Sequence, residues 1–238
     1  MPKAGVIIIG DEILSGKFTD ENTPFLAKRL RELGVDLRRV SVIPDDIEQI
    51  GAEVKAFHER FDHVFTTGGV GPTHDDVTME GVARGFGVAL ERHPALEQVL
   101  RDKLGEACND AALRMAEVPV GASLWWDGPM VWPVVAMQNV AIFPGVPSLL
   151  RRKFDAVAGR FQGVPVQGRR LVTLAQETAI AHILRAAQDR WPAVSIGSYP
   201  QLDVDPHTVT ITLDSRDPAA LERCEAWLRD ELAGGLCG

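Results

Sequence analysis

The chain has 238 residues, 45% of them hydrophobic and 24% charged, enough for one large domain or for a domain of about 150 residues with a small companion. Its net charge of −8 argues against a nucleic-acid partner and against an anionic membrane surface, since both call for a basic face. The apolar opening Gly5–Gly10 is too short for a signal or spanning segment and runs straight into Asp11-Glu12, so a cytoplasmic protein is expected.

Gly5–Ile9 reads as a buried first strand, and Gly10–Gly16 as a glycine-bounded polar loop beyond it. In open α/β sheets ligands bind at this edge, beyond the carboxyl ends of the strands. Asn22-Thr23-Pro24 has the form of a helix start, and Leu26, Leu30 and Leu33 repeat at helical spacing until Gly34. A second strand is expected over Val35–Ile43. Pro44-Asp45-Asp46 then opens a helix whose Ile47, Ile50, Val54 and Phe57 share one face. A third strand over Phe61–Thr67 completes a strand–helix alternation that implies a parallel sheet with right-handed crossovers.

The strand runs into Thr66-Thr67-Gly68-Gly69-Val70-Gly71-Pro72-Thr73-His74-Asp75-Asp76-Val77-Thr78. Three glycines let the backbone turn sharply and expose its amides, and a helix beginning near Val77 adds its positive end, so the stretch is a ready anion site. The two carboxylates at its end would repel a bare phosphate unless a divalent cation or a general-base role accounts for them. The same residues also suit a plain strand-to-helix turn with Asp75 or Asp76 as its N-cap. Three acidic pairs, Asp11/Glu12, Asp45/Asp46 and Asp75/Asp76, each follow a predicted strand, and a parallel sheet gathers them at one edge.

Residues 88–116 read as surface helices, with Pro94 starting one segment and Gly105 breaking it. Trp125, Trp126 and Trp132 around Gly128-Pro129 suggest a hairpin with the tryptophans packed as core or lid. Gln138–Phe143 is expected to be a strand, and Pro144-Gly145-Val146-Pro147-Ser148 a rigid turn into a helix over 148–158. The Gly/Pro/Gln-rich segment near 163–168 separates an expected large domain, 1–165, from a small α+β module, 169–238. The module has strands at Arg170–Leu174, Val194–Ile196 and Val209–Leu213 and two helices. Its seven arginines face ten acidic residues, which weighs against RNA. Cys108, Cys224 and Cys237 show no metal or redox spacing and read as unpaired thiols. His58, His63, His93, His182 and His207 show no metal-ligand spacing, and His74 reads as a solvent-facing loop residue.

Through Gly10–Gly16, Pro44-Asp45-Asp46, Thr66–Thr78 and Phe143–Ser148, the first ~160 residues resemble the molybdopterin-binding (MoaB/Mog-like) domain family. Within it the chain is similar to competence/damage-inducible protein A and to the N-terminal domain of FAD synthase, the stretch Pro133–Pro147 leaning to the latter. The tail, with Glu177-Thr178 and Ile196-Gly197-Ser198-Tyr199-Pro200, is similar to the KH-like module of the competence-protein branch, though without a Gly-x-x-Gly loop. The resemblance implies a three-layer α/β/α domain with a mostly parallel sheet, a small α+β module and a homo-oligomer. It also implies that Asp45 and Asp76 are the functional acids and the holders of a divalent metal, with Glu12 as an accessory acid or base. The ligand loops it points to comprise Gly10, Ser15, Gly16, Thr67, Gly68, Gly69, Gly71, Pro72, Thr78, Pro144, Gly145, Pro147 and Ser148. The expected ligand is a nucleotide or pterin phosphate. The expected reaction is metal-dependent hydrolysis of a nucleoside-diphosphate-linked compound such as ADP-ribose or FAD. Adenylyl transfer to molybdopterin, and non-catalytic pterin or nucleotide binding, stand as alternatives.

Overall fold

A computed structural model describes residues 1–201 and 206–236, which form two units, Met1–Gly163 and Val164–Gly238. The first is a six-stranded sheet between two layers of helices. Its central strands are β1 (Lys3–Ile9), β2 (Asp36–Ile43) and β3 (His63–Thr67). The helices that link them are α1 (Asp11–Leu14), α2 (Asn22–Glu32) and α3 (Ile47–Arg60). After β3 come α4 (Thr78–Phe86), β4 (Leu90–Arg92), α5 (Pro94–Leu104), α6 (Asp110–Arg114) and β5 (Glu117–Pro119). Strands β6 (Ser123–Trp125), β7 (Val134–Met137) and β8 (Val140–Phe143) lead into α7 (Pro147–Val157).

The strand order is β2-β1-β3-β8-β7-β6, with β2, β1, β3 and β8 parallel and β7 and β6 antiparallel. Both faces of the sheet are covered, which is why β1 is one continuous apolar run rather than an alternating one. Its Ile7 and Ile9 pack with Ile50, Val54 and Phe57 of α3 and with Val82 of α4. Its Val6 and Ile8 pack on the opposite side with Leu26 and Leu30 of α2 and Phe154 of α7.

Several expectations are corrected. Gly10–Gly16 is not a plain loop, because Asp11–Leu14 closes one short helical turn. Residues 88–116 are not wholly helical, since β4 pairs with β5 in a two-stranded ribbon. Strand β7 is an unexpected addition, and β8 begins at Val140 rather than Gln138. Gln138-Asn139 is the two-residue turn of the β7–β8 hairpin, with Gln138 at φ 52°. Two-residue hairpin turns call for positive φ, and Asn139 anchors this one by donating to the carbonyls of His58 and Phe61.

The second unit contains β9 (Gln167–Thr173), α8 (Glu177–Arg190), β10 (Ser195–Gln201), β11 (Thr208–Ser215) and α9 (Pro218–Glu231). Its antiparallel sheet runs β10-β11-β9. Ile180 of α8 and Leu221, Cys224 and Leu228 of α9 pack with Leu171, Val209, Ile211 and Leu213 of the sheet. Strand β10 runs well past the expected Ile196 and includes Pro200. Its place at the sheet edge allows this, because an edge strand tolerates a residue without an amide hydrogen. Cys108 and Cys224 are free thiols, and Cys237 lies outside the described residues. No helix among the described residues is long and apolar enough to cross a membrane.

Candidate functional site

The carboxyl ends of β1, β2, β3 and β8 carry the expected loops to one edge. Backbone approach fixes how they sit. Gly68 has φ 106°, and a Cβ there would lie 1.9 Å from the Ile9 carbonyl oxygen. A Cβ on Gly145 would lie 3.2 Å from Gly68 Cα, so the loops after β3 and β8 touch main chain to main chain. Only glycine permits this packing.

Buried polar groups complete the lock. Thr67 Oγ1 donates to the Pro144 carbonyl at 3.1 Å and accepts from Asn22 Nδ2 at 3.0 Å. The same Asn22 amide donates to the Gly145 carbonyl at 2.8 Å. Thr78 Oγ1 donates to the Gly68 carbonyl at 2.8 Å. Thr67 and Thr78 are thus buried and engaged within the protein, and they shape the loops rather than face a ligand. Asn22, expected as a helix cap, is not one: Glu21 holds the cap position of α2 without a side-chain bond, and Asp20 before it accepts from the amides of Asn22 and Thr23. That frees Asn22 to tie the ends of β3 and β8 together. Nothing local in the sequence marks this role, since Asn-x-Pro reads first as a cap.

The glycine loop itself divides. The Gly68 amide donates to the Phe143 carbonyl and the Gly10 amide to the Ile43 carbonyl, so neither is available to a phosphate. The amides of Gly69, Val70 and Gly71 donate to no protein acceptor among the described residues, and neither does that of Gly145. Pro72 is exposed beside them. Pro147 and Ser148 form the first turn of α7; Pro147 has no amide hydrogen and the Leu149 and Leu150 amides donate to the Val146 carbonyl, which leaves the Ser148 amide and the helix dipole to attract an anion there. Ser15 and Gly16 lie at the exposed end of α1, with Ser15 Oγ donating to the Glu12 carbonyl.

The carboxylates converge as the parallel topology implies. Asp45 Oδ2 accepts from the Asp11 amide at 2.9 Å. Partial burial, and then the charges of Glu12, Asp11 and Asp75, push the Asp45 carboxyl above the ordinary aspartate range, against the pull of that hydrogen bond. No cation pairs with Asp45 among the described residues. Neither Asp75 nor Asp76 caps α4; Val77 occupies the cap position without a side-chain bond. Asp76 instead folds back to accept from the Thr73 amide at 2.8 Å and from its hydroxyl. The neighbouring Asp46 does cap α3, accepting from the Gln49 amide at 2.8 Å.

Asp76 and the Gly69–Gly71 backbone line a narrow cleft of about 40 Å³, room for a few waters or one small group. Glu80, Glu117, Trp132 and Arg114 line it too. Arg114 forms no ion pair among the described residues, and no motif signals a lone arginine at the end of a short helix. The Trp126–Pro133 connection over this region is pinned at both ends. Lys153 Nζ donates to the Trp132 and Pro133 carbonyls at 2.6 Å each, and Arg160 pairs with Asp127. Burial, and then the nearby Arg152 charge, lower the Lys153 pKa to about 8. Among the described residues, no group of three or more His, Cys, Asp or Glu side chains is arranged to hold a metal.

Comparison with known families accords with this geometry. The model of a probable molybdopterin binding domain matches residues 5–162, and that of the FAD synthase middle domain matches residues 165–237. The chain belongs to the MoaB/CinA-like molybdopterin-binding domain family. A probable FAD synthase of Caenorhabditis elegans is 33% identical, covering 98% of this chain and 50% of that protein. A CinA-like protein of Anaeromyxobacter dehalogenans is 34% identical over 77% of this chain and 48% of its own length. The chain thus spans about half the length of these curated relatives, although an Archaeoglobus fulgidus protein, 33% identical, is covered to 93%. Among solved structures, CinA of Thermoplasma acidophilum is similar with a TM-score of 0.62 and 30% identity, covering 68% of this chain and 99% of that one.

Proposed function

We propose that the first unit hydrolyses the diphosphate linkage of a nucleoside-diphosphate compound with the help of a divalent cation. One observation carries this reading: Asp45, a carboxylate with acidic neighbours and no ion pair of its own among the described residues, shares an edge with the unpaired amides of Gly69–Gly71. Amides call for an anion, and an anion beside those carboxylates calls for a cation between them. No three-residue metal cage exists among the described residues, so Asp45 and Asp76 would hold the ion, with phosphate and water oxygens supplying the rest of its shell. That is the habit of Mg²⁺ rather than of zinc. When bound, such an ion neutralises the diphosphate and lowers the pKa of water. The chain's own part is to hold one phosphate on the Gly69–Gly71 amides and Arg114, to place the second toward the start of α7, and to offer Glu12 for the proton of the attacking water.

The names of the FAD synthase relatives suggest FAD as one substrate to try. The test is a panel of ADP-ribose, FAD and NAD with Mg²⁺, Mn²⁺ or Co²⁺. Wild type is expected to release monophosphates, and Asp76→Asn to lose at least ~100-fold in rate with its fold intact. Silence across the panel, or an Asp76→Asn variant as active as wild type, overturns the reading. The family description favours a second reading, adenylyl transfer to a pterin phosphate, which alone requires ATP together with a pterin.

A further inference from the structure

Strand β2 ends the six-stranded sheet, and among the described residues nothing pairs with its outer edge. It contains neither proline nor lysine, two of the usual devices that blunt an exposed edge. A bulge opposite Ala4 and Gly5 disturbs its first half, so the regular stretch is 39–43. There Arg39, Ser41 and Ile43 lie beside Gly5, Ile7 and Ile9 in parallel register, and the Gly10 amide donates to the Ile43 carbonyl. Arg39, Ser41 and Ile43 therefore turn their backbone groups toward β1, and Val40 and Val42 turn theirs outward. Both valine side chains are 39% exposed, and they are of the β-branched type that packs across paired strands.

The charges along this edge have an order. Arg38 and Arg39 stand in its first half, and the strand runs directly into the acidic turn Pro44-Asp45-Asp46. Basic then acidic repels a copy laid parallel and attracts one laid antiparallel. Arg39 is tied to Glu53 of its own chain, whereas Arg38 is exposed and forms no ion pair among the described residues. Asp36, ahead of the bulge, is engaged within the chain.

We infer that β2 is a contact surface for a second copy of this chain, the two strands pairing antiparallel about a twofold axis through Ser41. In that register Val40 opposes Val42 of the second copy and exchanges both backbone hydrogen bonds with it, and symmetry repeats the exchange. Centring the axis on Val42 would oppose Val40 with Pro44, which has no amide hydrogen, and centring it on Val40 would oppose Val42 with the bulged Arg38. Only the Ser41 axis uses every outward group. It also sets Arg38 of the second copy opposite the Pro44-Asp45 turn, where Asp45 has no ion pair within its own chain. Each copy thus lends a cation to the acidic turn of the other, whether or not that turn serves hydrolysis.

The experiment is sedimentation of the full chain from about 1 to 100 μM, because so short a contact falls below the ~800 Å² per partner of a standard interface and should hold at micromolar strength. Wild type is expected to pass from monomer to dimer across that range, and less readily at high salt. Val42→Pro removes an outward amide without touching the β1 ladder, and should leave a monomer with unchanged circular dichroism. Arg38→Glu should weaken the dimer at least about tenfold. Under mild oxidation Ser41→Cys should form a disulfide-linked dimer beyond any formed by the wild-type thiols, since non-hydrogen-bonded partners sit about 4.5 Å apart at Cα. Val40→Cys, off the axis, should not. A wild type that stays monomeric at the highest concentration overturns the inference. So does a dimer that persists in Val42→Pro or is untouched by Arg38→Glu, or a Ser41→Cys chain that links no more than wild type. Should Val42→Pro fail to fold, the other two variants decide.

Discussion

In residues 1–163 the strand ends are left chemically open, whereas in residues 164–238 the chain closes its own. In the second unit Gln188 donates to the Val194 carbonyl and accepts from the Ile196 amide. Ser215 bonds the Ala193 carbonyl and the Asp217 amide, and Asp217 then caps α9. Thr173 accepts from the Ala175 amide and donates to the Gly235 carbonyl. Polar side chains there act as fasteners. In the first unit Asn22, Thr67 and Thr78 are fasteners too, yet what they hold in place is a loop with idle amides at the same edge as Asp45 and Asp76, carboxylates that form no ion pair among the described residues. Two regions with similar ingredients thus differ in whether their polar groups are consumed by folding or kept for something else.

Substitutions that touch the open edge should therefore cost stability, function or both, and matched changes in the closed unit only stability. The largest effect is expected from Gly68→Ala, whose new Cβ meets the Ile9 carbonyl at 1.9 Å in a left-handed backbone. It should lose about 3 kcal/mol or more in denaturant melts. Gly234→Ala in the second unit meets nothing within 4 Å and should shift the melt by less than about 1 kcal/mol. Equal losses would erase the distinction. Next in size, Asn22→Ala removes the donor to Thr67 and to Gly145 and should cost about 1–3 kcal/mol. Hydrogen exchange should then speed selectively at the amides after Pro144.

Asp45 sharpens the comparison with a change of sign. Its folded-state pKa lies above the unfolded value, so the stability it contributes is fully present at acid pH and is lost as pH rises through the folded pKa. Asp45→Asn should therefore raise the Tm at neutral pH, narrow the gain as pH falls toward the unfolded aspartate pKa, and abolish turnover. A variant less stable than wild type at pH 7 would show that the carboxylate is satisfied as it stands. The smallest effect is expected from Asp46→Ala, one residue away. It loses the α3 cap, worth about 1 kcal/mol, and should leave ligand binding unchanged.

Most of the fold was legible because its signals are local. The run Val6–Ile9, the apolar stripe of α3 and the proline-started helices state their own conformation. The convergence of Asp11, Glu12, Asp45 and Asp75 also followed from topology alone, since parallel strands place their loops on one edge. What stayed hidden depends on pairs distant in sequence. Thr67 and Thr78 read as ligand contacts within a motif, and only their burial against Pro144 and Gly68 shows them to be fasteners. Asn22 looked like a cap, yet it is the first residue inside α2 and its amide is taken by Asp20. Arg114 had no pattern to betray it, because its meaning comes from what surrounds it in space.

The pairing of β3 with β8 has a consequence for how the protein comes to be made. Val64 lies beside Val140, so everything from α4 to β7 is synthesised before the second strand is available. Half of the open edge, Gly68–Asp76, precedes that insertion, and the other half, Pro144–Ser148, follows it. Long-range pairings of this kind close late, after local helices and hairpins have formed. A ligand that spans both halves can grip only the finished sheet, and it then adds its binding free energy to the final step. In a cell, abundance of that ligand would show up first as a larger folded fraction of the finished chain.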